Sequence, residues 1–221
     1  YPSTEVHYTF QTNESGSFML PEKLPAGTYY WREVNAPEGY LRGKDLKFEI
    51  KEGHDWSEPF IVEYADDPAM GRIEIIKVDA ESGDVLAGAE FSIAAAEDIV
   101  TPDGTVRAAK GEVVDTITTD AFGRAQSKDL YLGKYTVVET KQPLGYVRPD
   151  QSWEVELTYQ DQDTAIVTET LRVENTPTVV IIDKKETGSE THLPDVAFRI
   201  WNKAMAEDEI DPGVAGGEIY V

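Results

Sequence analysis

One pattern returns along this chain at a fixed interval, and it limits what the chain can fold into. Gly27-Thr28-Tyr29-Tyr30-Trp31-Arg32-Glu33 is followed by Ala36-Pro37-Glu38-Gly39-Tyr40. Further on, Gly133-Lys134-Tyr135-Thr136-Val137-Val138-Glu139 is followed by Gln142-Pro143-Leu144-Gly145-Tyr146. Gly27 and Gly133 are 106 residues apart, and so are Glu33 and Glu139. Upstream, Thr12-Asn13-Glu14-Ser15-Gly16 matches Thr119-Asp120-Ala121-Phe122-Gly123 as a turn of the Asp/Asn/Gly type. The front of the unit recurs as well: Lys77 precedes Phe91 by 14 residues, and Lys184 precedes Phe198 by 14. An interval of this size spans a domain, so the chain reads as a string of equivalent modules. Residues 1–69 are the back part of a first unit, 71–177 a complete second, and 178–221 the front part of a third. The missing portions of the outer units are expected to lie before Tyr1 and after Val221.

The complete unit carries about seven short strands and no convincing helix. They fall near 72–78, 89–95, 113–119, 124–128, 134–140, 152–159 and 165–174. Turns such as Glu81-Ser82-Gly83-Asp84 and Pro143-Leu144-Gly145 separate them. This spacing over about 100 residues argues an all-β, immunoglobulin-like sandwich. Residues 95–112 read as a long loop, because Pro102 and Gly104 interrupt what Ala94-Ala95-Ala96 begins. Pro68 and Pro177 sit at the joints. Proline neither extends a ladder nor lets its predecessor turn helical, so both joints read as stiff, extended corners.

Three polar residues continue apolar rows of period two: Ile73, Ile75, Lys77; Tyr135, Val137, Glu139; and Leu171, Val173, Asn175. Alternation places all three on inward faces. Taken singly, each has a plain explanation. A strand lysine is usually an edge gatekeeper or a snorkelling surface group, a strand glutamate is usually solvated, and Asn before Thr-Pro is usually a turn residue. Their shared parity is what the plain readings leave unexplained. Tyr29, Trp31, Tyr135 and Trp153 read as core or cross-strand packing.

Composition excludes several function classes. With 20 basic and 42 acidic residues the formal charge is −22, which repels phosphate backbones and anionic membrane surfaces. No apolar run approaches a membrane span. There is no cysteine, so neither disulfides nor thiolate metal sites are available. His7, His54 and His192 lack metal-ligand spacing. The acidic runs Asp161-Gln162-Asp163 and Asp208-Glu209-Ile210-Asp211 do not follow a calcium-loop pattern and read as solvated loops, so no metal or other cofactor is expected. Asn13-Glu14-Ser15 fits a glycosylation acceptor only in a eukaryotic secretory protein. No nucleophile–base–acid set or phosphate loop supports an enzyme.

At this point a family resemblance is visible. Lys77-Val78-Asp79…Gly83…Leu86-Ala87-Gly88-Ala89-Glu90-Phe91 resembles the opening of a collagen-adhesin B-type (Cna-B) domain, the module shared with SpaA-type pilins of Gram-positive bacteria. Leu132-Gly133-Lys134-Tyr135…Val138-Glu139-Thr140…Pro143-Leu144-Gly145-Tyr146 resembles its centre, and Val173-Glu174-Asn175-Thr176-Pro177 its end. The resemblance implies tandem prealbumin-like sandwiches. It also implies an intramolecular isopeptide bond between a first-strand lysine and a last-strand Asn or Asp, assisted by a buried acid. Carried over, the second unit offers Lys77, Asn175 and Glu139. The first offers Glu33 and Asp66, where an aspartate acceptor would release water instead of ammonia. The third offers Lys184, although Asp183 beside it departs from the usual small residue.

Desolvation lowers a lysine pKa and raises that of a neighbouring carboxyl, which frees the amine to attack the amide carbon while the acid hydrogen-bonds the amide oxygen and moves protons. The bond forms once, without turnover, and resembles a disulfide in closing a loop of this length, worth about 4–5 kcal/mol in the chain-entropy model. The expected function is a rigid stalk or backbone segment of a Gram-positive surface adhesin or pilin, extracellular and linked by sortase to the cell wall. Host or neighbouring-cell ligands would be met by other regions of the parent protein. The alternative is an adhesin module contacting host protein or carbohydrate itself, through a sandwich face or loop 95–112; an exposed aromatic patch beside that loop would favour it.

Overall fold

Alternating apolar residues over short stretches, cut by Gly, Pro and Asp turns, leave the chain strands as its way to bury side chains. The computed structural model describes residues 9–20, 24–53 and 59–198. Among them there are thirteen strands and no helix. Two compact units are separated after Thr178: Tyr1–Thr178 and Val179–Val221.

In the first repeat, β1 (Gly27–Trp31) and β2 (Leu46–Ile50) form an antiparallel pair. Aromatic stacks bind it together: Phe18 lies 5.0 Å from Trp31, and Tyr29 5.5 Å from Phe48. The complete repeat runs through β3 (Met70–Asp79), β4 (Glu90–Ala95), β5 (Ile99–Val100), β6 (Val106–Ala108), β7 (Val113–Thr118), β8 (Arg124–Gln126) and β9 (Leu130–Tyr131). It closes with β10 (Gly133–Lys141), β11 (Tyr146–Val147), β12 (Ser152–Leu157) and β13 (Ile166–Pro177). One sheet has the order β12-β10-β4-β7, and the other β11-β13-β3-β8 with β9 also on β3. Ile73, Ile75, Phe91, Ile93, Tyr135, Val137, Leu157 and Val173 fill the space between the sheets. Each contributes about 1.5–3 kcal/mol relative to an exposed side chain.

The seven strands read from the sequence correspond to β3, β4, β7, β8, β10, β12 and β13. The segment read as a loop contains a small hairpin, β5 with β6, in which Ile99 pairs with Ala108 and both are buried. Strands of two and three residues are too short to show a period, and Pro102-Asp103-Gly104 hides the turn as ordinary loop composition.

The first and last strands of the repeat are neighbours and run parallel. Met70 is opposite Ile166, Lys77 opposite Val173, and Asp79 opposite Asn175. The chain therefore enters the module at one end of this pair and leaves it at the other.

The two matched turns have the same construction. Asn13 Oδ1 accepts from Ser15 N at 2.9 Å, and Asp120 Oδ1 from Phe122 N at 2.8 Å. Gly16 and Gly123 both have positive φ, 72° and 67°. Gly123 has a further reason to be glycine. A Cβ there would stand 2.6 Å from the Lys77 carbonyl oxygen, and its own carbonyl accepts from Lys77 N at 2.8 Å.

Candidate functional site: a buried amine, acid and amide

Strand alternation delivers Lys77, Glu139 and Asn175 to the interior, where they are 0%, 1% and 1% exposed. Lys77 comes from β3 and Asn175 from the adjacent parallel β13. Glu139 comes from β10 in the facing sheet, at a point where the β10–β4 register shifts. Such an irregularity re-aims the side chains beside it. The other buried polar side chains hold the surrounding backbone. Thr119 Oγ1 donates to Leu86 O at 2.9 Å, Ser127 Oγ accepts from Ile73 N at 3.0 Å, and Asp79 accepts from Glu81 N, Ser82 N and Tyr146 Oη.

Lys77 Nζ donates to Asn175 Oδ1 at 2.6 Å and to the Val173 carbonyl at 3.2 Å. Asn175 Nδ2 donates to Glu139 Oε1 at 2.7 Å. The second carboxyl oxygen, Glu139 Oε2, is 3.9 Å from Nζ and has no hydrogen-bond partner. Glu139 thus contacts the amide nitrogen, not the amide oxygen as the sequence reading expected; the lysine already occupies the oxygen.

Burial pushes the Lys77 ammonium down to about 8, against the opposing pull of the Glu139 and Glu174 charges. Burial likewise raises Glu139, against the hydrogen bond from Asn175 and the charges of Lys77 and Arg148. Both shifts favour the neutral amine beside the protonated acid.

The first repeat holds a related pair. Asp66 is half-buried, and its carboxyl is pushed up to about 6 by burial first, then by the charge of Glu33 and a hydrogen bond with it. Glu33 Oε2 also accepts from Gly43 N at 2.7 Å. Among the described residues, the buried side-chain polar atoms without a partner are Asp66 Oδ1 and Glu139 Oε2. Each repeat thus leaves one carboxyl oxygen of this corner unsatisfied, at the acceptor position in the first and at the acid position in the second. In the second compact unit Lys184 is exposed; its carbonyl accepts from Leu193 N at 2.8 Å. Neighbouring Asp183 meets His192 Nδ1 at 2.7 Å. Asp208-Glu209-Ile210-Asp211 and His7 and His54 lie outside the described residues.

The acidic run at 161–163 is structural: Asp161 Oδ1 accepts from Asp163 N at 2.8 Å and Thr164 N at 2.7 Å. Tyr135 and Trp153 pack in or against the core. Reading residue by residue missed the Val173 carbonyl, which no side-chain pattern announces. It also missed Arg148, although the signal was present. An arginine stands nine residues after the glutamate in both repeats, Arg42 after Glu33 and Arg148 after Glu139.

A family model described as SpaA, prealbumin-like fold domain, matches residues 3–58 and 71–171. No curated protein matches. Among solved structures, the chain is similar to the Bacillus anthracis TIE protein at 30% identity and TM-score 0.48, covering 70% of this chain and 26% of that one. It is similar to BcpA, the major pilin subunit of Bacillus cereus, at 22% identity and TM-score 0.35, covering 50% and 31%. It is also similar to the shaft pilin spaA of Lactobacillus rhamnosus GG, at 17% identity and TM-score 0.39, covering 70% and 66%. The chain therefore spans between 26% and 66% of the length of these three structures.

Proposed function

Because the chain belongs to the SpaA family of prealbumin-like fold domains, we propose that it is a load-bearing stalk segment of a Gram-positive surface adhesin or pilus shaft. An amide between Lys77 and Asn175 locks it. The observation that carries this reading is the buried contact of Lys77 Nζ with the Asn175 side chain at 2.6 Å, with Glu139 on the amide nitrogen at 2.7 Å.

The neutral Lys77 amine attacks Asn175 Cγ. The Nζ–Cγ bond forms, the Cγ–Nδ2 bond breaks, and the amine surrenders one proton. The protonated Glu139 carboxyl, 2.7 Å from Nδ2 and 3.9 Å from Nζ, gives its proton to the departing nitrogen and takes up the one that Nζ surrenders. Ammonia leaves, and Glu139 ends as it began. Holding the three groups in contact supplies the effective concentration that an amine and an amide lack in water. The protein is its own substrate and acts once, so its role is structural, not enzymatic.

The parallel β3–β13 pair gives the bond its mechanical meaning. A pull on the chain ends enters at Met70, follows β3 for about 23 Å to Lys77, crosses to Asn175 and leaves beyond Pro177. Residues 78–174 fall outside the loaded path. Three repeats bounded at 1–69, 71–177 and 178–221 would pass load from one to the next. By the same reading the segment works outside the cell, sortase-linked to the wall, while other regions of the parent protein meet the ligands.

The alternative, a module binding through loop 95–112, loses support because the tip of that loop is occupied: Pro102 packs on Gly39 of the first repeat. Intact-mass measurement tests the proposal. The mass is expected to fall short of the sequence mass by one ammonia, and Lys77→Ala to abolish that deficit. A full sequence mass in the unaltered protein refutes the bond.

A further inference from the structure

The joint between the first and second repeats, both within the compact unit Tyr1–Thr178, is built from more than the linker at Pro68. Residues 36–42 of the first repeat are gripped from two directions by the second. Gln162 supplies two contacts: its side-chain Oε1 accepts from Ala36 N at 2.8 Å, and its backbone carbonyl accepts from Arg42 N at 2.8 Å. The Arg42 guanidinium pairs with Asp163, and Tyr159 Oη donates to the Tyr40 carbonyl at 3.1 Å. From the other direction comes Pro102, at the tip of the β5–β6 hairpin. Gly39 has φ 89°, and a Cβ there would stand 2.5 Å from Pro102 Cγ, so only glycine admits the ring this closely.

The linker itself is latched underneath the same loop. Ala69 N donates to Gly39 O at 2.9 Å and Leu41 N to Asp67 O at 2.8 Å, while Met70 N donates to Ala165 O at 3.0 Å. Chain crossing from one repeat to the next is therefore tied to both by the first residue of β3. The turn that reaches across is pre-shaped. Asp161 Oδ1 accepts from Asp163 N and Thr164 N, which orders the turn around Gln162 without help from its partner. An ordered turn loses little conformational freedom on docking.

We propose that the Asp161–Thr164 turn is a key by which one repeat docks on the Ala36–Arg42 loop of the repeat before it, fixing the angle between them so that the pair moves as one rigid body. Its partner surface is the Ala-Pro-Glu-Gly-Tyr loop of a module of the same family. Most of the recognition is to backbone atoms, which suits a loop that recurs with altered side chains as Gln142-Pro143-Leu144-Gly145-Tyr146. The bond at Lys77 plays no part in this docking, so the two proposals stand or fall separately.

The chain has no cysteine, so two can be introduced for spin labels without interference. Glu49→Cys on β2 and Glu154→Cys on β12, both at exposed positions, report the distance between the repeats by pulsed electron resonance. The full 221-residue chain is expected to give one narrow distance distribution. Gln162→Ala combined with Arg42→Ala should broaden it several-fold. Asp163→Ala, exposed and outside the core, should broaden it less while leaving the fold untouched. A broad distribution in the parent chain overturns the proposal, and so does a narrow one in all the variants.

Discussion

Glu33 with Asp66 and Glu139 with Lys77 and Asn175 are matching corners of two repeats, and burial acts on the titrating groups of each. In the first, two carboxyls face each other, and burial and mutual repulsion hold a proton on Asp66 up to about pH 6. In the second, an amine lies between an amide oxygen and a carboxyl; burial drives Lys77 down to about 8 and Glu139 up. Each site leaves one carboxyl oxygen unpartnered. The comparison teaches that burial shifts the titrating groups of both corners, raising a carboxyl in each and, in the second, lowering the amine beside it.

The strongest way to break this comparison is to remove the members of the proposed bond. Lys77→Ala or Glu139→Ala should abolish the ammonia deficit and lower the unfolding free energy by about 4–5 kcal/mol in urea titrations, the loss expected from opening a long closed loop. If the alanine variants unfold at the same urea concentration as the parent, no lock exists.

The glycines of the matched turns sharpen the comparison next. Gly123→Ala meets both positive φ and the Lys77 carbonyl, and should cost about 2–3 kcal/mol. Gly16→Ala has nothing within 4 Å and only the backbone penalty, about 1 kcal/mol. Thermal melts of the two variants should rank in that order.

The pH dependence separates the repeats more gently. The Asp66 carboxyl keeps its proton in the folded chain up to about pH 6 but releases it near 3.8 when unfolded, so the folded form binds more protons in between. The stability of the first repeat should therefore fall as pH rises from 3.8 to about 6 and level off above. Asp66→Asn should flatten that slope in melts recorded across the range. A slope of opposite sign would contradict the account. The smallest effect is expected for Tyr146→Phe. It removes the 2.8 Å hydrogen bond to Asp79 and should cost about 1 kcal/mol by chemical denaturation, without changing the mass deficit.

Much of the candidate site was legible residue by residue, because inward or outward parity is a local property of a pleated strand. Ile73, Ile75 and Lys77 share a face whatever lies across from them. The repeat interval and the Asn13 and Asp120 turns were equally readable, since each turn is held by a side chain bonding its own neighbours. The β5–β6 hairpin was not, because its two short strands are stabilised by burying Ile99 and Ala108 under the sandwich. Nor was Gln162, whose significance lies in the loop it meets some 126 residues away.

From the amino-acid order alone came the strand periods and the three polar residues facing inward. The folded molecule alone decided that β3 and β13 lie parallel and adjacent, that Glu139 rests on the amide nitrogen, and that Gln162 meets Ala36 and Arg42. The division has a physical cause. Alternation along a strand is set by neighbouring peptide units. A contact between Lys77 and Asn175, 98 residues apart, exists only once both sheets have packed and the register is set.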